Sequence, residues 1–115
     1  MSEGLKFDAG KVPLHLLPPR PLIEIAEVFD YGQRKYAAWD WAGGMKASRL
    51  FSALLRHAWA WWSGQDNDPE TGKSHLAHLG CCLLMLMDLS RSRRGAWDDD
   101  RPAGLCAPVS EDPQP

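Results

Sequence analysis

The side chains best suited to chemistry are concentrated in one short stretch of this chain. Residues 56–78, RHAWAWWSGQDNDPETGKSHLAH, contain three of the four histidines together with several acidic residues. His75 and His78 are three residues apart, so both imidazoles face the same way if the segment is helical. Neutral imidazole binds Mn²⁺, Zn²⁺ or Fe²⁺, whereas Mg²⁺ prefers oxygen ligands such as Asp68 and Glu70. The stretch predicts a polar, metal-binding site, with a solvated connector as the alternative.

A second pair of candidate metal ligands lies earlier in the chain. Glu24 and Glu27 are also three residues apart and share one face of a predicted helix. Two carboxylates placed in this way can hold a divalent ion such as Mg²⁺. The alternative is a solvated helix surface, and the spacing alone favours that alternative.

Basic and aromatic side chains supply what a phosphorylated, base-containing ligand would need. The candidate phosphate contacts are Arg34, Lys35 and Arg56, because all three carry charged hydrogen-bond donors. Trp39 and Trp41 flank a Gly-Gly loop and are candidates for stacking on a base. Six tryptophans in 115 residues indicate either an aromatic pocket or a large subunit interface.

Three helices are predicted to position these residues. The first begins near Pro21 and carries a stripe of residues at helical spacing, with Gly32 predicted to allow another backbone to approach closely. Ser48 is predicted to cap the second helix, which stops at Gly64. The apolar face of that helix is predicted to comprise Phe51, Leu54, Leu55, Ala58 and Trp62.

The third helix is predicted to begin after Ser74 and to be apolar on nearly all sides. Leu76, Leu79, Leu83 and Met87 form one face, and Cys82, Leu84 and Leu86 fill others. A helix of this kind needs burial on more than one side. We therefore expect a homodimer or homotetramer built on this helix.

The fold class expected is all-α, a small bundle of three main helices without strands or internal repeats. Residues 1–94 form the domain, with residues 1–19 as an extended arm. Residues 95–115 are rich in proline, glycine and aspartate, and are predicted to be a disordered tail.

Composition excludes several classes of protein. A net charge of −2 gives no reason to expect binding to a nucleic-acid polymer, which needs many basic contacts. No apolar run approaches the length of a membrane span, and no secretory signal is expected. Cys81 and Cys82 are adjacent and are expected to be buried thiols in the reducing cytoplasm rather than disulfide or zinc residues.

Four segments together resemble a known family. They are KFDAGKVPLHLLPP, GQRKYAAWDW, ALLRHAWAWWSGQDNDPETG and HLAHLGCCLLML, which lie in this order between residues 6 and 86. The set resembles the phage dATP/dGTP diphosphohydrolase N-terminal family, related to the MazG-like all-α nucleotide pyrophosphohydrolases. The resemblance covers about residues 5–90.

The resemblance implies hydrolysis of a purine deoxynucleoside triphosphate to the monophosphate and pyrophosphate, with Mg²⁺ or Mn²⁺ as cofactor. It also implies a cytoplasmic protein of the phage-infected host that adjusts a nucleotide pool. The functional residues that it points to are Lys35, Tyr36, Arg56, His57, Asp68, Glu70, His75 and His78. The chain departs from the MazG pattern in having two histidines, His75 and His78, where an acidic pair is expected, and Gln65 where the family usually has glutamate.

These observations predict a role for each candidate residue. We expect Glu24, Glu27, Asp68, Glu70, His75 and His78 to bind metal. Catalysis would fall to Glu27, Asp68 and His57, and substrate binding to Lys35, Tyr36, Arg56 and Trp41. The alternative is a non-catalytic phage accessory or binding protein on the same scaffold, which Gln65 and the acidic tail favour.

Overall fold

The chain folds into three α-helices joined by structured turns. A computed structural model describes residues 10–37, 40–92 and 98–103. The helices are α1 (Pro19–Lys35), α2 (Ala47–Trp62) and α3 (His75–Ser92), and two short 3-10 helices cover Leu14–Leu16 and Asp40–Gly43. Within those ranges only isolated bridges occur and no β-strand forms. The predicted all-α class is confirmed.

Helix α1 starts two residues earlier than predicted. Its first residue is Pro19 rather than Pro21, and Pro18 precedes it in an extended conformation. Pro19 and Pro21 both fit the first turn of α1. The N–H group that a proline lacks would have no intrahelical acceptor there in any case. The arm before α1 is described from residue 10 onward and contains one 3-10 turn; residues 1–9 lie outside the described part.

Helix α2 is capped from a distant segment, so the predicted Ser48 cap is wrong. The residue preceding the helix is Lys46. The carboxylate of Asp100 accepts hydrogen bonds from the backbone N–H of Ser48 at 2.8 Å and from its hydroxyl. The carbonyl of Asp98 accepts from the N–H of Ala47 at 2.9 Å. These contacts satisfy N–H groups of the first turn and place residues 98–103, the described part of the predicted tail, against α2.

The end of α2 is a Schellman turn centred on Gly64. The N–H of Gln65 donates to the carbonyl of Ala60 at 3.0 Å, and the N–H of Gly64 donates to that of Trp61 at 3.0 Å. Gly64 has φ of +102°, a conformation that glycine adopts without steric cost. The predicted stop is confirmed, and the chain is directed toward the start of α3.

Helix α3 lies at the centre of the bundle and contacts both α1 and α2. Val28 of α1 packs with Ala77 and Cys81 of α3, and Leu89 is fully buried. Cys81 and Cys82 are buried free thiols, as expected. The small side chains on this face of α3 allow the neighbouring helices to approach closely.

The close approach predicted at Gly32 occurs instead at Gly80. A Cβ atom added at Gly32 would meet nothing within 4 Å, whereas one at Gly80 would lie 2.6 Å from Cδ1 of Ile25. Gly80 therefore sets the distance between α3 and α1. The prediction for Gly32 is wrong because its position on the apolar stripe faces a cavity rather than a helix.

Several apolar side chains predicted to form core faces are exposed. Trp62 is 81% exposed and Phe51 53%, so neither belongs to the buried face of α2, which uses Ala47 and Leu50. On α3 the exposed side chains include Leu76, Leu83, Leu84 and Met87. The searched helices include none long and apolar enough to cross a membrane.

Candidate functional site

The site forms where α2 ends and α3 begins. Its floor is the turn of residues 66–74, which is folded by its own hydrogen bonds. Oδ1 of Asp68 accepts from the N–H groups of Glu70 at 2.7 Å and Thr71 at 3.3 Å. The N–H of Gly72, with φ of +73°, donates to the carbonyl of Asp68 at 2.7 Å. The turn is thus a defined structure that fixes Asp68 rather than a loose connector.

Three possible metal ligands converge above this turn. The nitrogens or oxygens of His57, Asp68 and His75 all lie within 4.8 Å of one another. Nδ1 of His57 is 2.8 Å from Nδ1 of His75 and 3.9 Å from Oδ2 of Asp68. One ligand comes from α2, one from the turn and one from the first residue of α3. This is the one such group in the part of the chain that the structure describes.

Gln65 determines which nitrogen of His75 faces the group. Its Oε1 atom lies 2.7 Å from Nε2 of His75. An amide oxygen can only accept, so Nε2 donates its proton to it. A neutral imidazole carries one proton, and Nδ1 of His75 therefore keeps its lone pair toward His57. The Schellman turn at Gly64 places Gln65 for this contact.

His78 supports the group from the side. Its ring stacks on that of His57, with centroids 4.5 Å apart and planes inclined by 13°. Its Nε2 atom lies 2.7 Å from Oγ1 of Thr71, which also accepts from the N–H of Lys73. Ser74 caps α3 through a 3.0 Å bond from the N–H of Leu76 to its Oγ, which confirms the predicted cap and fixes where His75 and His78 lie.

The surroundings favour the neutral form of His57 and His78 and the charged form of Asp68. Burial lowers the pKa of His57, as do the neighbouring His78 and His75. Burial likewise lowers the pKa of His78. Burial by itself would raise the pKa of Asp68, but the N–H groups of Glu70 and Thr71 and the two histidines outweigh it, so the pKa is lowered. Neutral imidazole beside carboxylate is the protonation state that binds metal.

Two ion pairs join α1 to the turn. The ammonium of Lys35 lies 2.9 Å from Glu70, whose Oε1 also accepts from the hydroxyl of Tyr31 at 3.2 Å. Lys73 lies 3.0 Å from Glu27. The hydrogen bond to Lys35 lowers the pKa of Glu70, and the same bond raises the pKa of Lys35. None of these charged groups belongs to the group of His57, Asp68 and His75.

A largely apolar cavity of about 750 Å³ opens between α1, the loop of residues 40–45 and α3. Its lining includes Phe29, Tyr36, Trp41, Arg49 and Met85. Phe29 and Trp41 pack with ring centroids 6.0 Å apart at 54°. The volume lies within the range of small-molecule sites. The second tryptophan predicted to stack, Trp39, lies outside the described residues.

The predicted site residues therefore divide into three sets, and Arg56 belongs to none of them. His57, Asp68 and His75 come together, with His78 stacked beside them. Tyr36 and Trp41 line the cavity. Four predicted residues lie outside the group of His57, Asp68 and His75. They are Glu24, Glu27, Lys35 and Glu70. Arg56 precedes His57 on α2, is exposed, and has no ion pair with a described residue.

Sequence reasoning gave no role to Gln65, Thr71 or Tyr31. Gln65 was recognised only as a departure from the family pattern, yet it hydrogen-bonds His75. Thr71 follows Asp68 by three residues, a spacing at which Asp and Thr side chains stabilise turns, and this was the available signal. Nothing in the sequence indicated that Tyr31 would reach Glu70, 39 residues away.

Comparison with known proteins identifies the family of this chain. The family described as "dATP/dGTP diphosphohydrolase, N-terminal" matches residues 1–101. A dATP/dGTP diphosphohydrolase of Salmonella phage PMBT28 is 40% identical over 98 residues, which are 85% of this chain and 33% of that protein. The chain thus spans about a third of the length of this relative. No solved structure matches it. With a family match over nearly all of its length, the chain belongs to the dATP/dGTP diphosphohydrolase N-terminal family.

Proposed function

We propose that this chain takes part in the metal-dependent hydrolysis of a purine deoxynucleoside triphosphate, dGTP or dATP. The products would be the nucleoside monophosphate and pyrophosphate. The observation that carries the proposal is the convergence of His57, Asp68 and His75 in a chain 40% identical to a phage protein named for this activity.

The donor set fits a divalent ion. Two imidazole nitrogens and one carboxylate oxygen are all metal ligands, and they converge from three separate elements. Such an ion would polarise the phosphates and make a water molecule more acidic. We place Glu24, Glu27 and Glu70 outside this group, where Glu27 and Glu70 pair with lysines and can still contact water or a second ion.

The residues around the group would bind the triphosphate. Arg56 lies one residue before His57 and is exposed, so its guanidinium can neutralise charge on the leaving pyrophosphate. Lys35 can do the same if its ion pair with Glu70 opens. The base would enter the cavity beside Trp41 and Tyr36, because aromatic rings stack favourably on purines.

Hydrolysis requires one water molecule and one proton acceptor. The water oxygen adds to a phosphorus atom of the bridge between the α and β phosphates. A P–O bond of that bridge breaks, and pyrophosphate leaves. The proton from water would go to a carboxylate, Glu27 or Asp68, because the one unprotonated nitrogen of a neutral His57 ring would hold the ion. Asp68 is the group whose charge the turn stabilises most directly.

The experiment is a panel of the eight common nucleoside triphosphates, with monophosphate, pyrophosphate and phosphate measured separately. We expect monophosphate and pyrophosphate in equal amounts from dGTP or dATP. Release of inorganic phosphate with diphosphate would contradict the proposed bond. The control is the His75→Ala variant, which should lose activity and keep its helical circular dichroism.

The second candidate is a non-catalytic binding or accessory protein. The exposed apolar side chains of α2 and α3, Trp62 and Leu84 among them, favour it, since such surfaces contact partners. Absence of turnover for all eight triphosphates with both Mg²⁺ and Mn²⁺ would support this candidate.

A further inference from the structure

We propose that the group formed by His57, Asp68 and His75 selects a transition-metal ion, of the series from Mn²⁺ to Zn²⁺, over Mg²⁺. The inference deepens the proposed function and takes from it the requirement for a divalent ion. Mg²⁺ is then bound mainly by the phosphates of the substrate, as Mg²⁺ commonly is.

The first argument is the chemical nature of the donors. Two of the three converging atoms are imidazole nitrogens. Mg²⁺ is a hard ion that prefers oxygen and gives up water reluctantly, whereas imidazole suits Mn²⁺, Fe²⁺, Co²⁺, Ni²⁺ and Zn²⁺. Asp68 contributes a single oxygen, because its other oxygen, Oδ1, is occupied by two backbone N–H groups. An oxygen-poor set of this kind disfavours Mg²⁺.

The second argument is the spacing of the nitrogens. Two nitrogens bound to one ion, each at roughly 2.05 Å, lie about 2.9 Å apart at a right angle and about 3.3 Å apart at the tetrahedral angle. The Nδ1 atoms of His57 and His75 are 2.8 Å apart. Without an ion this distance requires one ring to donate a proton to the other. With an ion both lone pairs are used, and the two nitrogens need to separate by no more than about 0.5 Å.

The third argument is that His75 is held in the tautomer needed for ligation. Its Nε2 atom donates to Gln65, leaving Nδ1 unprotonated, and a hydrogen bond from the second ring nitrogen is the usual support of a metal-bound histidine. The residue is only 4% exposed. A neutral carboxamide here orients the ring and adds no charge, whereas a glutamate would have offered an oxygen to Mg²⁺.

The fourth argument is that the nearby oxygen ligands are neutralised. Glu70 is paired with Lys35 at 2.9 Å and Glu27 with Lys73 at 3.0 Å. Both lysines would have to move before these carboxylates could complete an oxygen-rich Mg²⁺ site. The histidine group needs no such rearrangement.

The experiment measures metal binding without nucleotide. The full chain is stripped with a chelator and titrated with Mn²⁺, and free Mn²⁺ is followed by electron paramagnetic resonance. We expect one tightly bound Mn²⁺ per chain, and a Mg²⁺ excess of about 100-fold should displace less than half of it. Co²⁺ should bind with the visible absorption of nitrogen ligation.

Variants identify the ligands. His75→Ala and His57→Ala should each weaken Mn²⁺ binding by at least about 10-fold, whereas His15→Ala, which alters an exposed histidine in the first 3-10 helix, should leave it unchanged. Glu70→Gln and Glu27→Gln should also leave it unchanged. Full displacement by equimolar Mg²⁺, or unchanged binding in His75→Ala, would overturn the inference.

The experiments distinguish failure of this inference about metal selection from failure of the proposed function. Hydrolysis of dGTP with Mg²⁺ alone by a chain that binds no Mn²⁺ would remove the inference and keep the function. Tight, histidine-dependent Mn²⁺ binding by a chain that hydrolyses none of the eight triphosphates would do the reverse.

Discussion

At the scale of single residues, the two carboxylate oxygens of Asp68 have different contacts and different functions. Oδ1 holds the turn through two N–H groups, and Oδ2 faces His57. Replacing Asp68 by Asn keeps an oxygen acceptor for the turn but removes the charge. We expect Asp68→Asn to lower turnover at least 10-fold, in the range of roughly 10–100-fold for damaged metal sites, with a melting temperature close to that of the parent.

Asp68→Ala should differ, because it removes the turn acceptor as well. Leaving N–H groups of the turn unpaired costs about 1–3 kcal/mol, so this variant should lose both stability and turnover. Asp66→Asn is the matched control, since the side chain of Asp66 is exposed and outside the group. Equal turnover in Asp68→Asn and Asp66→Asn would show that the charge of Asp68 has no part in the reaction.

Cys81 should be chemically silent in the folded protein. Burial, with a smaller effect of Cys82, raises the pKa of its thiol from 9.0 to about 12, and the thiolate is the reactive form. In a Cys106→Ser background, iodoacetamide at pH 8 should label neither thiol until urea unfolds the chain. Rapid labelling of the native protein would show that α3 opens.

The same thiol links stability to alkaline pH. Between pH 9 and 12 the unfolded chain loses the Cys81 proton while the folded chain keeps it, so the free energy of unfolding should fall as pH rises through this range. Cys81→Ala should reduce that dependence, as measured by urea unfolding at pH 8 and pH 10.

The sequence predicted the members of the site better than their roles. His75 and His78 could be named because helical spacing and the capping Ser74 determine which residues begin α3, and His57 and Asp68 because they lie in the same polar stretch and match the family. The separation of His57 and His75 in sequence gave no measure of their 2.8 Å contact. That contact depends on how α2 and α3 cross, which the side chains of the whole core determine.

At the scale of elements, two glycines allow a matched test of helix packing. Gly80→Ala places a Cβ atom 2.6 Å from Ile25. Overpacking costs typically about 1–3 kcal/mol and the gain in helix propensity returns about 1 kcal/mol, so we expect a net loss of roughly 1 kcal/mol. Gly32→Ala meets nothing and should stabilise the chain by about 0.5 kcal/mol.

Urea unfolding followed by circular dichroism measures both changes. The Ile25→Ala background removes the contact atoms, so Gly80→Ala should become stabilising there. A destabilising effect of Gly80→Ala that is the same in both backgrounds would mean that Ile25 is not the obstacle.

The helix caps and apolar faces show which features of the helices could be predicted from sequence patterns. Gly64 and Ser74 act through bonds to residues nearby in the chain, so both were predictable. The start of α2 was not, because Asp98 and Asp100 supply its caps from some 50 residues away. The exposure of Trp62 also escaped the pattern, since periodicity identifies an apolar face but not whether another element covers it.

At the scale of the whole molecule, the exposed apolar side chains of α2 and α3 predict self-association. Phe51, Trp62, Leu84 and Met87 are each more than 40% exposed, and monomeric proteins seldom leave large apolar patches uncovered. We expect light scattering to give a dimer or tetramer of the 12.9 kDa chain. A mass near 12.9 kDa at micromolar concentration would contradict this.

Charged substitutions would locate the interface. Leu84→Asp on α3 should reduce the mass to that of one chain, because an unpaired carboxylate in an apolar interface is costly. Ile23→Asp on α1, also at an exposed apolar position, should leave the mass unchanged. The reverse result would move the interface to α1.

The three converging side chains all lie between residues 57 and 75, and this has a consequence for the order of folding. A loop this short closes at little entropic cost, so α2, the turn and α3 can form the site before α1 arrives. Helix α1 contributes one buried residue to the core, Val28, and should detach at a lower free energy than the rest. Hydrogen exchange should then be faster in α1 than in α3. Because residues of α1 also line the cavity, its detachment would remove one wall of that cavity.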